Sequence, residues 1–322
     1  MPWTRRSAAV LLLVPVVVAA TLWAFAWPGA RTAPRELPVA VAGPAAAAEQ
    51  VSRGLERRDG AFDISRYEDE AAARTAIGNR DVYGAVVAGP DGIRLLTASA
   101  ASPAVAALLR EAVAAGAERP VETVDVVPTP AADPRGGVLA ASVLPLSMAG
   151  IVLAVLVTLL GLRGVRAAVT LVAAAAGGGV VTALVTHSWL GILTGSWWGE
   201  AGAAGLTVLA VAAASAGPAA LVGRAGLAAG SVLTVLIGNP FSGAASAPEL
   251  LPEPMGALGA LLPPGAGAQL IRSQAYFDGA ASTGPLLVLT VWVALGLTAV
   301  LLGARRGRLP LGPRSFGLPA QL

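Results

Sequence analysis

Long stretches without a single charged residue constrain this chain more than any other feature. Six runs qualify, at 8–27, 138–162, 167–189, 201–222, 225–247 and 285–303. A helix of roughly 20 apolar residues crosses about 30 Å of hydrocarbon, so each run is a candidate span. With 55% hydrophobic and 13% charged residues in 322, the composition belongs to a polytopic membrane protein rather than a soluble domain. The first run follows "MPWTRR" and ends among Trp23, Trp27 and Pro28. It is long for a signal-peptide core and its tryptophans suit an interfacial anchor, so an uncleaved helix is expected. The alternative is cleavage after "AFA" at 24–26. Pro145 and Pro218 fall inside predicted spans, where neighbouring helices can satisfy the carbonyls they free.

Charge predicts orientation. All 22 basic residues are Arg. With the N-terminus inside, the inner segments hold Arg5, Arg6, Arg163, Arg166, Arg224, Arg305, Arg306, Arg308 and Arg314, and no acid. All 19 acidic residues then lie outside, the asymmetry that positive-inside insertion produces. The expectation is six spans in the cell membrane with both termini cytoplasmic: tail and first helix at 1–27, an outer domain at 28–137, a membrane body at 138–303 and a tail at 304–322.

The outer segment has ordinary soluble composition and enough length for a small core. "LPVAVAG" reads as a strand, and Pro44 opens an Ala-rich helix ending near Asp59 and Gly60. A short strand near 62–65 and a helix near 68–79 follow. Residues 82–88 and 93–97 read as a hairpin turning at 89–92. Ser102 is an N-cap with Pro103 at the first helical position, and "VETVDVV" closes the domain as a strand. The prediction is a compact extracytoplasmic α/β domain joined to the membrane by 128–137.

Several chemistries are excluded or receive no support. Without Cys there is no disulfide, thiolate ligand or thiol nucleophile. Without Lys there is no standard Walker A site. A single histidine, His187, precludes HExxH, and it sits beside Trp189, Trp197 and Trp198 as an interfacial anchor or a proton-linked group. "RRDGAFDISRYEDE" reads as a solvated mixed-charge surface. No cofactor and no nucleic-acid partner are implied, since the Arg residues follow the membrane instead of forming a basic stripe. No intramembrane carboxylate or histidine pair is visible, so an enzyme is not expected. "GGG" at 177–179 and the GxxxG pair Gly226 and Gly230 suit close helix packing or a homo-oligomer.

The fifth run is interrupted by "GNPFSGAASAPELLP" at 238–252. Pro240 lacks an amide donor and clashes with the carbonyl of Leu236, so a helix must stop or kink there. One expectation is that Asn239 and Pro240 end the helix inside the outer leaflet, Asn239 satisfies freed backbone groups and 241–252 lines a wet cavity; the other is a kinked helix end. Downstream, Pro252, Pro254, Pro263 and Pro264 break the chain too often for a span, yet the segment is too apolar for a free loop. Arg272 and Asp278, among its few charges, do not share a helical face without a bend.

In "GNPFSGAASAPELLP", "LLPPGAGAQLIRSQAYFDGA" and "RDVYGAVVAGPDG", and in the order helix, large outer domain, five helices, the chain resembles ABC-2-type permeases of the phage-infection-protein group. The resemblance covers nearly the whole chain. It implies export of a lipophilic or amphipathic substrate with a separate ATPase subunit, and an outer re-entrant segment at 239–284. Asn239, Pro240, Pro252, Pro263 and Pro264 would shape that segment, with Arg272 and Asp278 as further candidates on the path. The chain departs from the family in its short N-terminal tail and minimal inner loops, "RGVR" and "GRAG". The competing expectation is therefore a non-transporting envelope protein acting through its outer domain.

Overall fold

The computed structural model describes residues 5–89, 92–116 and 120–306. Arg308 and Arg314 and most of the tail at 304–322 lie outside these residues, as do positions 90–91 of the expected hairpin turn.

Central strands buried on both faces build the α/β domain. Strands β1 (Leu37–Ala42), β2 (Phe62–Tyr67), β3 (Gly84–Gly89), β4 (Gly92–Thr97) and β5 (Glu122–Asp125) form one sheet in the order β2-β1-β3-β4-β5. β1 pairs in parallel with β2 and β3, β4 runs antiparallel to β3, and β5 is parallel to β4. Leu37, Val39 and Val41 join Leu55, Val86, Leu95 and Leu109 on the face covered by α2 (Ala45–Glu56) and α4 (Pro103–Ala114). Ala40 and Ala42 meet Ile77 and Leu96 under α3 (Glu70–Gly78). A strand buried on both faces is what two-sided helical cover requires. Local signals set the helix starts: Ser102 Oγ accepts from Val105 N at 3.2 Å, and Asp69 Oδ1 accepts from Ala72 N at 2.8 Å.

Before this domain comes α1 (Arg5–Ala30), and after it α5 (Gly137–Leu159), whose first amides donate to both oxygens of Asp133. The membrane body continues with α6 (Gly164–Ala183), a π-helical stretch Leu184–Trp189, α7 (Trp197–Val222), α8 (Arg224–Val232), a second π-helical stretch Leu233–Gly238, two short helical elements before α10 (Pro263–Tyr276) and finally α11 (Thr283–Arg306). Of the short elements, Pro248–Leu250 is a 3₁₀ turn and α9 spans Met255–Ala260.

Five helices among the described residues are long and apolar enough to cross a membrane: Val10–Ala30, Gly137–Leu159, Gly164–Trp189, Trp197–Val222 and Thr283–Arg305. The fifth of the six expected spans is shorter. Arg224–Gly238 stays apolar for 15 residues, about 22 Å of helical rise, and the chain then turns.

α7 is the central helix, with 67% of its apolar window buried against 6% for α1. Its Ala and Gly residues admit neighbours close to the backbone. Gly296 of α11 lies against Ala213, and Gly150 of α5 against Val211. The GxxxG pair is used within the chain. Gly226 packs on Pro218, and Gly230 rests on the Ala214 carbonyl, the acceptor that Pro218 leaves without its usual donor four residues on.

Candidate functional site

The break in the fifth apolar run is built from a widened turn. Over Leu233–Gly238 the helix is π-helical, and Asn239 N donates to Thr234 O at 3.0 Å. Such a turn absorbs one extra residue and is frequent at functional sites. Pro240 ends it. Ser242 Oγ then donates to Asn239 O at 2.8 Å and accepts from Ala244 N at 3.3 Å. Ser242 thus ties the backbone of the turn after Pro240, and Asn239 Nδ2 is buried with no partner.

Residues 239–246 form the floor of a cavity of about 280 Å³, closed by Ala140, Val143 and Leu144 of α5, Phe25 of α1 and Leu251. Its two sides differ in character. Asn239, Ser242 and Ser246 are polar, whereas Phe25 and Leu144 lie on spans and are 45% and 42% exposed, so the mouth opens beside exposed apolar side chains. Phe241 turns away from the cavity into the protein and meets Trp27 edge-on at 6.2 Å, fixing the end of α1.

The remaining predicted residues divide. Pro263 and Pro264 open α10, as first-turn prolines should, and the Pro264 ring packs on Gly238 at the end of the broken helix. Arg272 is buried on α10 and donates to Ala244 O at 2.8 Å, holding the cavity floor from behind. Pro252 is buried and its carbonyl accepts from Met255 N, away from the cavity lining. Asp278 is exposed in a left-handed turn at φ 48°, apart from Arg272.

The segment from Pro248 to Phe277 is also locked to the α/β domain. Arg35 donates to Leu250 O and Leu251 O at 3.1 and 2.9 Å, and its own amide bonds to Glu249 O. Arg80 donates to Gln269 and Ser273, and the Tyr83 hydroxyl donates to Glu249 Oε2 at 2.9 Å. Leu250 enters the α2/α4 core and Phe277 enters the α3 core.

A carboxylate–histidine pair exists where the α6 span ends and α7 begins, contrary to the reading of the sequence. Glu200, in the first turn of α7, has a fully buried side chain. It accepts from Gly195 N at 2.8 Å and lies 3.0 Å from His187 Nδ1. The π-helical stretch at the end of α6 carries His187, and the loop between is pinned by Tyr276 Oη on Ile192 O and Thr194 Oγ1 on Ala275 O. One signal was present in the sequence: a lone acid at the start of an otherwise charge-free helix.

These features define the chain as a polytopic helical membrane protein. No protein-family model, curated protein or solved structure matches it.

Proposed function

We propose that the chain is a permease-like protein of the plasma membrane, of the ABC-2 type, that exports a lipophilic or amphipathic substrate with a separate ATP-binding subunit and performs no chemistry on it. The cavity at 239–246 carries this reading. Its polar Ser242 and Ser246 and its lipid-facing apolar mouth match a molecule with a polar end and a hydrocarbon body. The positive-inside rule favours cytoplasmic termini and an α/β domain outside.

The test begins with orientation. The protein has no native Cys, so single-Cys variants label without background. Asp278→Cys is expected to react with an impermeant maleimide applied to intact cells, and Arg163→Cys only after lysis. Labelling of position 163 from outside would overturn the topology. For transport, deletion of the gene should raise accumulation of a lipophilic dye, and the purified protein should carry an ATPase subunit whose turnover the dye stimulates. Asn239→Leu combined with Pro240→Leu should abolish that stimulation while membrane insertion persists. If no ATPase associates and accumulation is unchanged, the second reading stands: an envelope protein acting through its α/β domain. The tight locking of that domain to 247–277 favours it as a recognition head.

A further inference from the structure

Between the α/β domain and α10 lies a second cavity, of about 250 Å³, lined by Arg80, Asp81, Tyr83, Glu249 and Gln269 and closed by Pro285 at the start of α11. Arg80 follows α3 in the left-handed conformation, φ 64°, and its guanidinium reaches α10. It donates to Gln269 O at 3.2 Å, Ser273 Oγ at 2.5 Å and Gln269 Oε1 at 2.6 Å, and lies over the Phe277 ring at 5.3 Å. Every one of these partners is neutral. Three of the five guanidinium donors are used, leaving two, the number that a bidentate oxyanion takes.

Arg272 approaches the same amide from the other side, with one nitrogen 3.4 Å from Gln269 Oε1 and its Nε buried without a partner. Burial lowers both guanidinium pKa values, and for Arg272 burial and then the Arg80 charge bring it down to about 10. Both therefore remain charged at neutral pH, with no carboxylate bonded to either among the described residues. Buried charges are ordinarily paired. The Gln269 amide shows the same deficit. Two cations donate to Oε1, so the amide cannot flip, and Nε2 is left buried without an acceptor.

The Glu249 charge favours both guanidiniums without an ion pair to either. Glu249 accepts from the Tyr83 hydroxyl through one oxygen, and Asp81 is exposed. We propose that this cavity binds a compact zwitterion, its oxyanion taken by Arg80 and its ammonium by Glu249. The volume equals about eight waters at roughly 30 Å³ each, enough for a head group and too small for an acyl chain. An aminophospholipid head group and a free amino acid share this chemistry. The site stands independently of the transport reading, because none of its residues lines the cavity at 239–246.

Calorimetry on the full chain in maltoside micelles tests it, with glycerophosphoethanolamine and L-alanine as zwitterions and glycerol 3-phosphate and ethanolamine as the separate halves. One zwitterion is expected to bind at least tenfold more tightly than either half; which one does so identifies the source. Glu249→Gln should cost the zwitterion at least tenfold and leave glycerol 3-phosphate unchanged. Gln269→Glu would place a carboxylate between the two guanidiniums; it should raise the Tm and abolish binding. Absence of binding by both zwitterions, equal binding of the halves, or a lowered Tm in Gln269→Glu would each overturn the proposal.

Discussion

Replacing Gly179 by Ala should destabilise the bundle, while the same change at Gly178 should not. α6 and α7 cross where Gly179 faces Gly205. A methyl group at 179 would stand 2.7 Å from Gly205 N and 2.8 Å from its Cα, and would overlap the Ala201 carbonyl. Ordinary contact begins near 3.4 Å and the Ala201 carbonyl oxygen would lie at 2.2 Å, so the helices would have to separate by about 1.2 Å. Neither side can yield by rotating a side chain, because all three neighbours are backbone. Overpacking of this kind costs about 1–3 kcal/mol. Against it stands the helix-propensity gain of Ala over Gly, up to about 1 kcal/mol. A methyl group at Gly177 or Gly178 would meet nothing within 4 Å, so Ala there brings only the gain. The two classes of variant should therefore differ by about 2 kcal/mol, roughly a factor of 30 in the unfolding constant. Reversible unfolding in mixed micelles, followed by tryptophan fluorescence, measures this. The packed pair Trp197 and Trp198 at the start of α7 reports on the same helix. Equal effects at 178 and 179, or no loss at 179, would refute the packing argument.

Three further outcomes are expected. Glu200→Ala should cost about 1–3 kcal/mol, since Gly195 N–H and His187 both lose their partner, and Glu200→Gln should cost less because it retains an acceptor; the same unfolding assay compares them. Asp133→Ala removes both oxygens that cap α5 and should lower stability by about 1 kcal/mol in that assay. The bond from Arg74, and to a lesser degree that from Arg94, holds the Glu70 carboxyl below its ordinary value of 4.5. A depressed folded-state pKa stabilises above the unfolded value and is lost as pH falls through the folded one. The stability gap between wild type and Glu70→Gln, measured by circular dichroism, should thus be present at pH 7 and shrink below about pH 4.5.

Local chemistry made the α/β segment readable. Pro44, the Ser102–Pro103 start and the glycines bounding 89–92 each act within a few residues, so element order follows from sequence alone. Pro240 was readable for the same reason. The contacts that complete each site were not. Arg80 meets Gln269 across 189 positions, and Tyr83 meets Glu249 across 166. Nothing local distinguishes those polar residues from solvated ones. His187 and Glu200 are only 13 apart, yet their meeting depends on the π-helical widening that rotates the end of α6. The GxxxG pair was ambiguous because a small-residue face does not encode whether its partner is another copy or, as here, α7 of the same chain.

The bonds from Arg35, Arg80 and Tyr83 leave the α/β domain without a hinge. It is held by α1 where the chain enters, by the Asp133 cap on α5 where it leaves, and by the 247–277 segment between. A load on its far edge, at β2, would not be dissipated in a flexible stalk. It would be delivered through Arg35 to the carbonyls of Leu250 and Leu251, next to the floor of the first cavity. Mechanically the domain is a short lever joined to the membrane body beside that cavity, so a force on the one passes directly to the other.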